Sequence, residues 1–127
     1  MLLDTHVFLW WINDDRKLGH NARNIISNID NHLMLSAASG WEIAIKSRLG
    51  KLDVADDICK FIFEQMRIND ITELPVLMSH TLHVATLPIL HRDPFDRLLI
   101  AQAQLEKIPI LSGDEQFNAY SVEVIGA

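Results

Sequence analysis

Four carboxylates stand at positions where an α/β chain could use them for chemistry. Asp4 and Asp114 each come shortly after a short apolar run, whereas Glu42 and Asp96 lie near the start of two amphipathic or apolar helical patterns. In an open parallel sheet the functional crevice lies beyond the carboxyl ends of the strands, so we expect all four side chains to face one crevice. Carboxylate oxygens suit hard cations, and the set has no His or Cys beside it, which favours Mg²⁺ or Mn²⁺ over zinc.

Each acid also has a purely local interpretation. Asp4 and Asp114 could do no more than cap helices, because Asp is among the best N-cap residues. Glu42 could complete a capping box with Ser39 or form an i,i+4 ion pair with Lys46. The fourth acid, in the first turn of its helix, is favoured there by the helix dipole. It is the joint arrangement of the four, and no single residue, that indicates a site.

Histidines and tryptophans offer weaker signals. His80 and His83 have the i,i+3 spacing of a shared metal ligand pair, but no third ligand is spaced to suit them. His6 and His91 flank acidic positions and could contact a substrate, although a structural histidine is the commoner case. The tryptophans could stack on bases, with core packing expected for at least two of the three: Trp10, Trp11 and Trp41.

Composition bounds the class of protein. The chain has 127 residues, of which 49% are apolar and 22% charged, so it predicts one folded domain over residues 1–127. The lone Cys59 predicts a reducing, cytoplasmic setting and a small buried side chain. No run of residues is long and apolar enough for a membrane helix or resembles a signal peptide. The net charge of −6 opposes attraction to a polyanion, so a nucleic-acid substrate would need bound cations to reverse the local sign.

Strand and helix patterns alternate along the chain. Short apolar runs predict strands at 1–3, 33–37, 71–76, 108–111 and 122–125. Helical spacing and cap residues predict helices at 5–11, 21–30, 39–50, 54–69, 77–85, 94–107 and 114–120. Such alternation predicts an α/β fold with a central parallel sheet and helices on both faces.

Four stretches of the sequence resemble one known family. They are Leu-Leu-Asp-Thr-His-Val-Phe-Leu-Trp-Trp at 2–11, Ser-Ala-Ala-Ser-Gly-Trp-Glu-Ile-Ala-Ile-Lys-Ser-Arg-Leu-Gly-Lys-Leu at 36–52, His-Arg-Asp-Pro-Phe-Asp-Arg-Leu-Leu-Ile-Ala-Gln-Ala at 91–103 and Leu-Ser-Gly-Asp-Glu-Gln-Phe at 111–117. The chain resembles PIN domains, and within them the VapC-like toxins of toxin-antitoxin pairs. The resemblance covers essentially the whole chain in the expected order.

This resemblance implies a Mg²⁺- or Mn²⁺-dependent endoribonuclease that cuts a phosphodiester by metal-activated attack of water. It further implies an RNA substrate, a cognate antitoxin that plugs the acidic pocket, and a homodimer. The acidic pocket would be formed by Asp4, Glu42, Asp96 and Asp114. Thr5 and Ser112 would be hydroxyl neighbours, and Asp93 an auxiliary acid rather than a primary ligand.

Five basic residues lie within about ten positions of a pocket acid: Lys46, Arg48, Lys51, Arg92 and Arg97. They could form a positive rim that binds the RNA backbone on either side of the scissile phosphate. They could equally be solvated helix faces with local ion pairs.

Two other functions remain open from the sequence. One is a PIN-like binding module held by a partner, and the other is a metal-dependent nuclease outside any toxin-antitoxin system. An intact set of four acids favours catalysis, because clustered carboxylates are electrostatically costly to a scaffold that does not use them.

Overall fold

Five short strands form an all-parallel sheet, which confirms the predicted architecture. The computed structural model of the chain describes residues 1–50, 56–91 and 93–127. The sheet has the order β3-β2-β1-β4-β5. Its strands are β1 (Leu2–Leu3), β2 (Leu33–Ser36), β3 (Ile71–Leu74), β4 (Ile110–Ser112) and β5 (Val124–Gly126).

Helices connect the strands and cover both faces of the sheet. Within the described residues they are α1 (Thr5–Ile12), α2 (His20–Ser27), α3 (Ala37–Arg48), α4 (Ile58–Ile68), α5 (Met78–His83) and α6 (Pro94–Glu106), with short 3₁₀ turns at Val84–Thr86 and Glu115–Ala119. None of the helices in the described part of the chain is long and apolar enough to cross a membrane.

The core is divided into two layers by the alternation of side chains along each strand. Leu3 and Leu111 belong to a buried cluster with Val7 and Phe8 of α1. Their strand neighbours Leu2 and Ile110 belong to a second cluster that includes Leu99 and Ile100 of α6. Residues 99–103 of α6 are all buried, because the helix packs between the sheet and the elements outside it, among them α3 and α5.

The start of α3 differs from the prediction. Ser36 is the N-cap, since its hydroxyl accepts a hydrogen bond from the Ala38 amide at 3.0 Å, so the helix begins before Ser39. Ser39 is buried inside the first turn, where its hydroxyl accepts a hydrogen bond from Thr5. The predicted end is confirmed, because Gly50 adopts a φ of 72° just after the last turn.

Several other boundaries shift by a few residues for local reasons. α2 ends at Ser27 because Asn28 leaves the helical region and its side chain accepts from the Asp30 amide. α4 begins after Asp57, which caps it through the Lys60 amide, and residues 54–55 of the predicted helix lie outside the described residues.

Cys59 is exposed, which makes the expectation of a buried cysteine wrong. It lies in the first turn of α4, whose inward face toward the first cluster is formed instead by Ile58, Ile62 and Met66.

The chain runs outward from β1 through β2 to β3 and then returns to place β4 on the other side of β1. The strand order therefore reverses between β1 and β4. In open α/β sheets this reversal opens a crevice beyond the carboxyl ends of the two strands. Asp4 follows β1 and Asp114 follows β4, so both belong to this crevice.

Candidate active site

Asp4 occupies the N-cap position of α1 without acting as a cap. Its carboxylate makes no capping hydrogen bond and instead accepts the Ser112 hydroxyl at 2.8 Å through Oδ2. The residue is 3% exposed, and no hydrogen-bond donor among the described residues meets Oδ1. The capping interpretation is therefore wrong. A buried carboxylate oxygen without a partner is costly unless it binds a proton or a cation.

Glu42 shows the same feature on α3. Its Oε2 accepts from Lys46 Nζ at 2.6 Å, so the predicted i,i+4 pair is confirmed. The capping box with Ser39 is wrong, because that serine is not the N-cap. Glu42 is 2% exposed, and its Oε1 has no hydrogen-bond partner in the described part of the chain. Its hydrogen bond in turn raises the pKa of Lys46 above the ordinary value.

Thr5 and Ser39 join the two helices that carry Asp4 and Glu42. The Thr5 hydroxyl donates to Ser39 Oγ at 2.8 Å, and both residues are buried. This bond ties the first turn of α1 to that of α3 and helps to fix the spacing of the two acids.

Asp96 lies in the first turn of α6, and Asp93 caps that helix. Asp93 Oδ1 accepts from the Phe95 amide at 2.9 Å and from the Asp96 amide at 3.4 Å. Asp93 thus positions the helix start, while Asp96 is buried against the other acids. Both side chains are brought to the same crevice as Asp4.

Two of the acids, Asp96 and Asp4, have raised pKa values. Burial, followed by the charges of Asp4, Asp93, Glu42 and Asp114, raises the pKa of Asp96 to about 8. Burial also raises the pKa of Asp4, and the Ser112 hydrogen bond offsets part of that shift. A cluster of this kind binds either protons or a cation at neutral pH.

Asp114 caps a short helical turn and also faces the acidic crevice. Its Oδ1 accepts from the Gln116 amide at 2.9 Å and caps the following 3₁₀ turn, so the capping interpretation is confirmed. Its Oδ2 lies 3.5 Å from His91 Nε2 and faces the crevice acids. The Ser112 hydroxyl accepts a hydrogen bond from the Asp114 amide at 2.9 Å and donates one to Asp4, so a single hydroxyl links the two acids.

His91 stands beside the acids, so the expectation that no histidine accompanies them is wrong. Its Nε2 is 2.8 Å from Asp96 Oδ2, and ligand atoms of His91, Asp96 and Asp114 all lie within 4.8 Å of one another. The sequence contains one indication of this contact. His91 lies two residues before Asp93, the N-cap of α6, and a side chain at that position can contact the first turn of the helix.

The other candidate histidines do not form a metal site. His80 is buried and contacts Glu106 Oε1 at 2.8 Å, while its Nδ1 accepts from the Leu77 amide. His83 contacts Gln104 at 2.8 Å. The two rings are thus occupied by separate partners. His6 is exposed, and it lies close enough to Asp4 to oppose part of the rise in that residue's pKa.

The tryptophans divide as expected. Trp10 and Trp11 pack against the first core cluster, whereas Trp41 is 62% exposed beside Glu42. The Trp41 ring meets Phe95, the neighbour of Asp96, edge to face at 5.2 Å. One aromatic pair therefore borders the crevice.

The basic residues have different surroundings. Arg48 is exposed on the last turn of α3. Arg97 donates to the carbonyls of Pro88 at 2.9 Å and Val84 at 3.2 Å, which corrects the expectation that its charge is available to a substrate. Lys51 and Arg92 lie outside the described residues.

Comparisons with known proteins place the fold. A family model described as PIN domain matches residues 1–123. Ribonuclease VapC16 of Mycobacterium tuberculosis (strain ATCC 25618 / H37Rv) is 39% identical over 64 residues, which are 50% of this chain and 45% of that relative. The matched part of the chain thus spans less than half the length of this relative.

Solved structures show the same fold at low sequence identity. The crystal structure of VapBC2 from Rickettsia felis, bound to a DNA fragment from their promoter, gives a TM-score of 0.73 at 14% identity and covers 98% of this chain and 96% of that one. FitAcB from Neisseria gonorrhoeae gives 0.67 at 17% identity, again covering 98% and 96%.

Proposed function

The chain belongs to the PIN-domain family, and from that premise we propose that it is a Mg²⁺- or Mn²⁺-dependent endoribonuclease and the toxin of a toxin-antitoxin pair. One observation carries the proposal: Asp4 Oδ1 and Glu42 Oε1 are buried without a hydrogen-bond partner among the described residues, in a cluster of acids. Buried anionic oxygens in that state fit a bound cation.

The residues that would hold the cation are the four acids Asp4, Glu42, Asp96 and Asp114. All are oxygen donors from separate elements, which suits a hard divalent ion that keeps some of its water. One or two such ions, when bound, supply positive charge at the scissile phosphate and lower the pKa of an attacking water.

Neighbouring side chains keep these acids in place. Ser112 donates to Asp4 and so directs one carboxylate oxygen away from the ligand position. Lys46 neutralises one oxygen of Glu42 and leaves the other available. Asp93 fixes the start of α6 through two backbone amides. The chain offers carboxylates and fixed dipoles, and water is the nucleophile.

Cleavage of single-stranded RNA by the purified protein is expected in Mg²⁺ or Mn²⁺ and absent in EDTA. Clustered carboxylates repel a phosphate unless a cation reverses the local charge. Initial rates on a labelled RNA, before and after EDTA and again after excess Mg²⁺, provide the measurement. Full activity that persists in EDTA would contradict the metal mechanism, while cleavage of DNA alone would contradict the substrate.

We further propose that RNA leaves the crevice along α3. Trp41 is exposed beside Glu42 and can stack on a base, which contributes about 1–3 kcal/mol per base. Arg48 lies six residues beyond Glu42, or about 9 Å along the helix axis, within reach of a neighbouring phosphate. Lys46 adds positive charge between them, although it is paired with Glu42.

Arg48→Gln is expected to weaken RNA binding a few-fold and to reduce the slope of log affinity against log salt by about 1, because one phosphate contact is lost. Lys107→Gln is the matched control, since Lys107 is also exposed but lies beyond the opposite end of α6 from Asp96. Both changes are measured in an Asp96→Asn background so that the RNA is not cut. Equal slopes for the two variants would remove Arg48 from the RNA path.

The partners are proposed on separate grounds. Besides the acidic pocket that the antitoxin is expected to plug, a groove of about 270 Å³ between α3 and α4 offers a further surface for an antitoxin segment. It is lined mainly by apolar side chains, among them Ile43, Ile62, Phe63 and Met66. A homodimer is supported by exposed apolar residues in and around α5: Leu77, Met78, Leu82, Ile89 and Leu90. A cytoplasmic location remains a prediction of the sequence.

A further inference from the structure

His91 is held in one orientation at the edge of the acidic crevice. Its backbone amide donates to the Tyr120 hydroxyl at 2.7 Å, and its ring meets Phe117 edge to face at 6.1 Å. The residue is 8% exposed. Since the ring is enclosed on these sides, the fold itself directs Nε2 toward Asp96 and Asp114.

The contacts of Nε2 are close without being hydrogen bonds. It lies 2.8 Å from Asp96 Oδ2 and 3.5 Å from Asp114 Oδ2, yet neither oxygen has hydrogen-bond geometry to it, and it has no other partner among the described residues. Adjacent ligands about 2.1 Å from one octahedral ion are about 3.0 Å apart, which resembles this spacing. Ligand atoms of all three residues lie within 4.8 Å of one another, so small side-chain movements would bring them onto one shared cation.

We propose that His91, Asp96 and Asp114 form a cation subsite with one nitrogen and two carboxylate donors, which selects Mn²⁺ over Mg²⁺. The inference rests on the proposed function, in which the acids hold a divalent ion. Imidazole nitrogen binds transition metals more readily than it binds Mg²⁺, whereas carboxylates serve both ions. Carboxylates alone would discriminate little between Mn²⁺ and Mg²⁺, so the histidine is what makes the subsite selective for Mn²⁺.

Binding through Nε2 changes one existing contact. His91 Nδ1 accepts from the Asp93 amide at 3.3 Å, and this bond is given up when the ring proton moves to Nδ1. At 3.3 Å the contact is longer than the usual 2.7–3.2 Å range, so its loss costs little beside a metal bond.

The test is a direct search for nitrogen bound to Mn²⁺ in the full chain. Pulsed electron paramagnetic resonance of the Mn²⁺-loaded protein is expected to show coupling to a histidine nitrogen, identified by the change in signal when histidine carries ¹⁵N. The coupling should disappear in His91→Gln and persist in His6→Gln. His6 is a matched control because it lies near one of the crevice acids, Asp4, but is exposed.

Binding constants give a second readout. Without RNA present, His91→Gln is expected to weaken Mn²⁺ binding about 10-fold and Mg²⁺ binding less than about 3-fold. If His91→Gln does not fold, the comparison of ¹⁵N-histidine-labelled and unlabelled wild-type protein still shows whether a histidine nitrogen binds Mn²⁺. Mn²⁺ binding without histidine coupling, or with coupling retained in His91→Gln, would overturn this inference and leave the nuclease intact. Absence of any Mn²⁺ or Mg²⁺ binding would overturn the proposed function as well.

Discussion

Asp4→Asn and Asp96→Asn are each expected to lower the rate of RNA cleavage by at least about 100-fold while the protein stays folded. Asparagine has the size and shape of aspartate but lacks the negative charge that a divalent cation requires. The amide oxygen can still accept the Ser112 hydroxyl that now contacts Asp4 Oδ2. The measurement is the initial cleavage rate at saturating Mg²⁺, with circular dichroism to establish the fold.

Asp30→Asn is the matched control, because Asp30 is exposed in the turn that precedes β2, whereas the proposed ligands lie beyond the carboxyl ends of the strands. Its cleavage rate should remain within about 2-fold of the wild-type value. Near-normal cleavage by Asp4→Asn or Asp96→Asn would remove the altered residue from the active site.

Mg²⁺ is expected to raise the melting temperature substantially at pH 8 and much less at pH 4.5. At the lower pH protons compete for the same carboxylates, since the pKa of Asp96 is raised to about 8. Thermal unfolding with and without excess Mg²⁺ at the two pH values is the measurement. An equal gain at both would indicate that the ion binds elsewhere.

Without metal, the same shift predicts that stability falls as pH rises from about 4 to about 8. An unfolded aspartate releases its proton near pH 3.9, whereas folded Asp96 retains it to about pH 8. In that window the folded state binds more protons, so the free energy of unfolding decreases with pH, by at most about 1.4 kcal/mol per pH unit for one proton. Asp96→Asn should flatten this dependence, and Asp30→Asn should not. A slope unchanged by Asp96→Asn would contradict the raised pKa.

Much of the architecture was set by signals that act within a few residues. The stop at Gly50 and the proline at the start of α6 fix helix ends through backbone conformation, which depends on the residue itself. Alternating side chains at Leu2 and Leu3 send one to each face of the sheet. Such local rules predicted the parallel sheet and its helices, and erred mainly in where elements begin and end.

Local rules were less reliable when two residues could perform the same task. Ser36 and Ser39 are both good caps, and β2 ends at the first of them because its register with β3 extends to Leu74. Cys59 was expected inside on its residue type alone, but the face of α4 that meets the core is determined by Ile58 and Ile62.

The sequence by itself determined the α/β class and identified four acids whose motifs match one family. This was possible because strand ends and helix starts depend on residues that are close together in the chain. Only the tertiary structure decided what those acids touch. The hydrogen bond from Ser112 to Asp4 joins residues 108 positions apart, and no local pattern encodes a distance across that separation. His91 reaches Asp114 only because α6 and β4 return the chain to the same edge of the sheet. Residue type and spacing predict elements, whereas chain topology and packing determine which side chains share one crevice.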